Sequence, residues 1–179
     1  MDMRGERQIA AGRQAVWQAL NDPETLKACI PGCESFERLS DVEHVVTLVA
    51  AVGPVKAKFK GTMQLRDLDP PSSYTLAFEG QGGVAGFARG QAQVTLSEEG
   101  PATKLGYHVH AQVSGKLAQV GSRLVDAAAR KVAEDFFSAF NARVGAAPAP
   151  GAARGARIPA AVWIAAAAAA ALAAYLLLR

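Results

Sequence analysis

Residues 55–66 alternate with a period of two. Val55, Ala57, Phe59, Gly61, Met63 and Leu65 take one set of positions, and Lys56, Lys58, Lys60, Thr62, Gln64 and Arg66 take the other. Successive side chains of a strand point to opposite faces, so this spacing predicts an antiparallel strand with one wet face. The same period runs through Tyr74, Leu76 and Phe78, through Ala88, Gly90, Ala92, Val94 and Leu96, and through Leu105, Tyr107, Val109, Ala111 and Val113. Residues 3–10, 34–39 and 44–52 read as further strands. Gly53-Pro54, Pro70-Pro71, the glycines at 80–83 and Gly100-Pro101 punctuate the pattern. Strands joined by such short turns form an antiparallel meander.

The period changes to 3.6 at 121–144. Leu124, Ala128, Val132, Phe136 and Phe140 recur on one helical face, widened by Val125, Ala129 and Ala139. This predicts a helix roughly 33 Å long, with Ser122 as its N-cap. Two shorter helices are expected at 12–20 and 22–29, with Asn21 and Asp22 as capping residues and Pro23 in a first turn. Pro31-Gly32 stops the second. One strand, two short helices, a run of strands and a long helix describe an α+β domain over 1–145. The inward positions include Ala57, Gly61, Ala88, Gly90, Ala92 and Ala111. Such small residues either leave a cavity beneath the long helix or let that helix pack closely, and periodicity does not choose between them.

Residues 146–157, AAPAPGAARGAR, break the pattern and read as a flexible Ala/Pro/Gly linker. Residues 158–178 carry no charge, and as a helix they would span ~31 Å, the thickness of a bilayer core. Trp163 and Tyr175 stand near the two ends, as interfacial aromatics do, and Arg154 and Arg157 precede the segment. The seven Ile, Val and Leu residues favour insertion by about 2–4 kcal/mol in total. This predicts a single-pass C-terminal anchor with the domain on the cytoplasmic side of the inner membrane. The alternative is an alanine-rich helix that docks in a partner protein.

Charge adds a constraint. Residues 1–145 carry 16 bases and 16 acids, so the net +3 belongs to Arg154, Arg157 and Arg179. A neutral domain is a poor match for nucleic acid. The first ten residues have no apolar core of a secretory leader, which is consistent with a cytoplasmic domain.

The candidate chemistry is sparse. Gly80, Gly82 and Ala85 fit a dinucleotide fingerprint, but a strand follows where that motif needs a helix, so a glycine-rich hairpin is expected. Cys29 and Cys33 are one residue too far apart for a C-x-x-C redox pair and too few for a zinc site. His108 and His110 share an outward strand face, and with His44 they read as surface histidines rather than metal ligands. Lys56, Lys58 and Lys60 form a row that is either a solvated face or a docking patch for anionic lipid or an acidic partner. The sequence holds no Ser/His/Asp arrangement, P-loop or metal-binding helix motif.

Three segments together carry a family resemblance: ACIPGCE at 28–34, VKAKFKG at 55–61 and GKLAQVGSRL at 115–124. They resemble the CoxG family of carbon monoxide dehydrogenase accessory proteins, within the START-like (SRPBCC) superfamily of polyketide cyclases and Bet v 1-like proteins. The resemblance implies a helix-grip fold, a curved antiparallel sheet around a C-terminal helix with a mostly apolar cavity. It also implies a non-enzymatic accessory role, recruiting a molybdenum hydroxylase of the CO dehydrogenase type to the membrane. No metal or covalent cofactor is expected, and the resemblance links the cavity to a quinone such as menaquinone or ubiquinone. From the alternation, the expected lining is Phe59, Met63, Phe78, Tyr107, Val109, Val132, Phe136 and Phe140, with Phe87 gating the mouth. A lipid carrier without a hydroxylase partner is the second expectation. A cyclase- or hydratase-type enzyme is the third, and a buried carboxylate or histidine in the cavity would favour it.

Overall fold

The alternation at 55–66 becomes the longest of the described strands. In the computed structural model, which describes residues 1–145, this strand is β4 (Val55–Asp69). It sits within one antiparallel sheet with β1 (Asp2–Ile9), β2 (Cys33–Arg38), β3 (Glu43–Val52), β5 (Ser73–Gln81), β6 (Phe87–Glu99) and β7 (Ala102–Val113). The strand order is β1-β7-β6-β5-β4-β3-β2. From β2 to β7 each strand pairs with its sequence neighbour, as a meander requires. β1 instead lies beside β7, so the two edge strands are consecutive in the chain. The segment that links those edges contains α1 (Arg13–Leu20) and α2 (Pro23–Cys29), which therefore cross the open side of the curved sheet.

Local chemistry sets these elements. Asp22 caps α2, its carboxylate accepting from the Thr25 N–H at 2.9 Å, with Pro23 in the first turn. Asn21 ends α1 rather than starting α2. A short helix α3 (Lys116–Gln119) precedes the long helix α4 (Ser122–Gly145). Ser122 is the first helical residue and not the cap. The Gly121 carbonyl accepts from Val125 at 3.2 Å, which puts Gly121 at the cap position.

The core lies where α1 and the C-terminal half of α4 meet the sheet. Ile9, Val16, Leu20, Leu96, Leu105, Phe140 and Val144 are buried together there. Two polar contacts lock this corner. The Thr103 hydroxyl donates to the Ala11 carbonyl at 2.7 Å, and the Ala10 N–H donates to Asn141 Oδ1 at 2.9 Å. The buried line of α4 is rotated from the predicted stripe: Val125, Phe140 and Val144 are buried, whereas Leu124 and Val132 are each 47% exposed. The stripe still faces the sheet, but Leu124 and Val132 stand on its rim.

The glycine-rich stretch is a loop between two strands. β5 ends at Gln81, a single 3₁₀ turn covers Gly83–Ala85, and β6 starts at Phe87. Gly86 has φ +103°, and a Cβ there would run into the Ser114 carbonyl. No dinucleotide-type helix follows.

Among the described residues no helix is long and apolar enough to cross a membrane. The predicted linker at 146–157 and anchor at 158–178, with Arg154, Arg157, Trp163 and Tyr175, lie outside the described residues.

Candidate ligand-binding site

A cavity of ≈ 370 Å³ lies between the concave face of the sheet, α2 and the middle of α4. The sheet contributes Met63 and Leu65 from β4, Tyr74 and Leu76 from β5, Ala92 and Val94 from β6, and Leu105, Tyr107 and Val109 from β7. These positions follow the two-residue period and share a face by register. α2 and the turn after it supply Leu26, Ile30 and Pro31, and α4 supplies Ala129, Val132, Ala133, Phe136 and Phe137. The lining is almost wholly apolar and contains no formally charged side chain. Val132 lines the space while remaining 47% exposed, so it marks an opening.

Of the predicted lining residues, the structure brings Met63, Tyr107, Val109, Val132 and Phe136 together around this cavity. The other four lie elsewhere. Phe140 is 0% exposed and belongs to the solid core, with its ring stacked on Phe136 at 5.6 Å. Phe59 packs against Gly82, where the β5–β6 loop folds over it. Phe78 shares the concave face but stands beside Gly90, one row beyond the lining residues Leu76 and Ala92. Phe87 does not gate the mouth. It sits one position out of phase with Ala88, on the convex face, in a shallow groove with Glu79, Gln81 and Arg89.

The small inward residues divide in the same way. Only Ala92 of that set lines the cavity. A Cβ at Gly90 would strike the His110 carbonyl and Ala111, so this glycine serves close backbone approach. The cavity therefore owes its space to where the helices cross the sheet more than to a row of small side chains.

His44 is a correction with consequences. The sequence reading puts it on the surface, yet it is 4% exposed and lines the cavity. Its register partner is Met63, and the Phe36 ring stands 5.3 Å away. Its Nε2 has no hydrogen-bond partner among the described residues. Burial holds its pKa below the usual imidazole value, and the nearby Arg38 charge adds to the shift, so the ring is neutral near pH 7. Tyr74 also lines the space, with Trp17 set edge-on at 5.6 Å, and burial pushes its phenol pKa up. Phe137 is a further lining residue outside the predicted stripe. It stacks on Tyr107 at 5.2 Å, with the Arg7 guanidinium 5.8 Å from its ring centre.

His108 and His110 do lie outward, apart from His44. The structure brings a carboxylate to them that is remote in sequence: Asp2 lies 3.0 Å from His108 Nε2 and 3.7 Å from His110 Nδ1. The hydrogen bond with His108 holds the Asp2 carboxyl below its usual range. Among the described residues no group of three or more His, Cys, Asp or Glu side chains is arranged to hold a metal. Cys29 is buried and Cys33 half-buried. Both are free, and burial raises both thiol pKa values. Lys56, Lys58 and Lys60 are exposed on the convex face, and Lys58 pairs with Glu34 at 2.8 Å.

A curved seven-stranded sheet closed by a C-terminal helix over an apolar chamber is the START-like helix-grip arrangement. The family model for CoxG, described as a carbon monoxide dehydrogenase subunit, matches residues 5–145. The chain belongs to the CoxG family. Solved structures share its fold. A conserved protein from Geobacillus kaustophilus is 29% identical with a TM-score of 0.76, over 80% of this chain and 95% of that one. A START superfamily protein from Mycobacterium smegmatis is 13% identical with a TM-score of 0.63, over 80% and 96%. The Zhui aromatase/cyclase of Streptomyces sp. R1128 is 13% identical with a TM-score of 0.57, over 80% and 93%. A comparison with curated proteins found no match. CoxG membership and a ligand-binding fold together indicate a ligand-binding accessory role. The family name associates that role with a CO dehydrogenase system, while the cyclase relative shows that the fold also serves enzymes.

Proposed function

We propose that this CoxG-family protein is a membrane-anchored accessory factor for a molybdenum hydroxylase of the CO dehydrogenase type. The 158–178 segment holds the domain at the cytoplasmic face of the inner membrane, and the domain recruits the hydroxylase there. Its cavity accepts a quinone, menaquinone or ubiquinone, or a similar lipid, and so aids electron transfer to the respiratory chain. The observation that carries the reading is the ≈ 370 Å³ apolar cavity with a half-exposed Val132 at its rim. Known ligand sites occupy about 300–1,000 Å³ and are lined mostly by apolar groups. The Lys56, Lys58 and Lys60 row is the surface assigned to docking.

The test is to purify the full-length chain in mild detergent from a quinone-producing host. Bound lipid is then measured by solvent extraction and native mass spectrometry. Stoichiometric quinone supports the reading. A folded chain that arrives empty and takes up no added quinone rejects the cavity's role and leaves a docking adaptor. Co-purification of a molybdenum hydroxylase from native membranes separates the adaptor from a carrier that works alone.

His44 is the observation that favours an enzyme of the cyclase or hydratase class. Its surroundings argue for the accessory reading instead. A general acid–base histidine works best with a pKa near the operating pH and is commonly oriented by a partner group. Among the described residues no carboxylate lines the cavity to orient the His44 ring.

A further inference from the structure

A second pocket, of ≈ 300 Å³, lies between the edge strand β1 and α4, and three arginines line it: Arg4, Arg7 and Arg130. It adjoins the apolar cavity, because Met3 and Tyr107 line both. Arg7 shares its parity on β1 with Met3, a cavity residue, and Ile9, a core residue, so its side chain starts on the concave face. Its guanidinium stands 5.8 Å from the ring centre of Phe137, part of the cavity wall. The Tyr107 ring stacks on the same Phe137, and its phenol oxygen lies over Gly5, where a Cβ would strike it. Tyr107 thus has its ring in the wall of the apolar cavity and its hydroxyl beside Gly5, in the wall of the polar pocket.

The charge in this pocket is not balanced within the fold. Arg7 is half-buried and donates to the Glu6 carbonyl at 2.8 Å. Among the described residues neither Arg7 nor Arg130 forms an ion pair. Of the two acids that line the pocket, Asp2 is held by Arg4, His108 and His110, and Glu134 makes no ion pair. Three arginines against two acids leave one positive charge. A charge withdrawn from water without an opposite partner is costly, and a neutral side chain at position 7 would pack on Phe137 without that cost.

We propose that this pocket is the head-group site for a long-chain carboxylate, with Arg7 as its anchor and the apolar chain in the adjoining cavity. This rests on the ligand-binding reading above and adds a class of lipid and its orientation. The guanidinium is a planar fork of donors that matches both oxygens of a carboxylate. Arg130 adds a second positive charge from α4, and the Tyr107 hydroxyl can donate to the head from the shared wall. One negative charge meets the one unbalanced positive charge, whereas a doubly charged head would face Asp2 and Glu134 with too few bases. The chain then begins at Met3 and Tyr107, the two side chains common to both spaces, and its remainder meets a wall without formal charge.

The experiment compares dodecanoate with dodecanamide, which has the same chain and nearly the same head shape but no charge. Binding to the full-length chain in non-ionic detergent is measured by equilibrium dialysis at about pH 8, where a carboxylic acid is ionised, with protein-free micelles as the blank. The wild type is expected to bind dodecanoate about 10- to 100-fold more tightly than dodecanamide, the range for hydrogen bonds to a charged group. Arg7→Gln is expected to bring the two within about threefold, and Arg7→Lys, which keeps the charge but not the fork, to retain part of the preference. Arg130→Gln, at an exposed position, is expected to reduce the preference about 2- to 5-fold. Dodecanamide binding should stay within about twofold in every variant, as it reads the apolar cavity alone.

Equal binding of acid and amide by the wild type, or a preference that survives in Arg7→Gln, overturns the inference and leaves the cavity as a site for a neutral lipid. If neither binds but 2,3-dimethyl-1,4-naphthoquinone does, the inference falls and the ligand-binding reading stands. If none of the three binds, both fall. Where Arg7→Gln fails to fold, an unchanged preference in Arg130→Gln overturns the inference.

Discussion

Phe140 and Phe136 are one helical turn apart on α4, with ring centroids 5.6 Å apart, yet the structure gives them different roles. Phe140 is 0% exposed inside the cluster of Ile9, Val16, Leu20 and Leu105, whereas Phe136 borders the cavity. A phenylalanine buries about 150–250 Å², worth about 4–6 kcal/mol at ~25 cal/mol per Å². Alanine keeps its Cβ, so Phe140→Ala should lose about 3–5 kcal/mol, within the range for buried aromatic truncations. At roughly 3–5 °C per kcal/mol for a domain of this size, Tm should fall by about 10–20 °C. Phe136→Ala enlarges a space that already exists, so fewer packing contacts are lost. Its expected loss is about 1–2 kcal/mol, with weaker quinone uptake. The assay is urea unfolding of the full-length chain in a Trp163→Phe background, followed by fluorescence of Trp17, which packs against the same core. Equal losses in the two variants, with quinone uptake unchanged in Phe136→Ala, would mean that Phe136 is ordinary core and that the cavity is misplaced.

Other expectations follow from single contacts. Asp22→Ala removes the α2 cap and should lower unfolding free energy by about 1 kcal/mol in the same assay. Gly90→Val drives a side chain into the His110 carbonyl and Ala111, and should cost about 1–3 kcal/mol or prevent soluble expression. The pH dependence has a defined sign. The folded-state pKa of His44 lies below its reference value of 6.5, so the unfolded chain binds this proton first. Unfolding free energy should therefore fall as pH drops through 6.5 towards the lower folded value, and urea titrations of His44→Leu should show a flatter profile there. Asp2 and Asp22, with carboxyl pKa values held below 3.8, act in a separate window at lower pH. Removing residues 146–179 should move the protein from the membrane pellet to the soluble fraction on cell fractionation.

Much of the fold is legible because two periods write it directly into the chain. The clean alternation of 55–66 requires one wet face, and the 3.6-residue spacing of 121–144 requires a helix with one apolar side. Capping at Asp22 is legible because that bond is local, between residues three apart. His44 escapes such a reading because 44–52, HVVTLVAAV, is apolar on both faces, so alternation does not say which set points inward. A signal does exist in the hairpin. The two-residue turn at Gly53-Pro54 sets Val52 opposite Val55, and the ladder then carries His44 to Met63, on the face that the lysine row leaves dry. For Phe87 the signal is plainer: Ala88 and Gly90 already set the parity of β6 against an inward ring.

Near neighbours thus account for all that the chain reveals before it folds: the element order, the wet and dry faces of most strands, the cap of α2 and the change of composition at 146. Those depend on backbone geometry and on contacts a few residues apart. Which half of the concave face stays open is settled by packing between distant segments. It depends on where α1, α2 and α4 cross the sheet, and on the pairing of β1 with β7. The same long-range packing makes Phe140 core and Phe136 lining, brings Asp2 to His108, and leaves an unpaired imidazole in an apolar chamber. No local pattern encodes these outcomes, because each is set by side chains that meet from elements far apart in the chain.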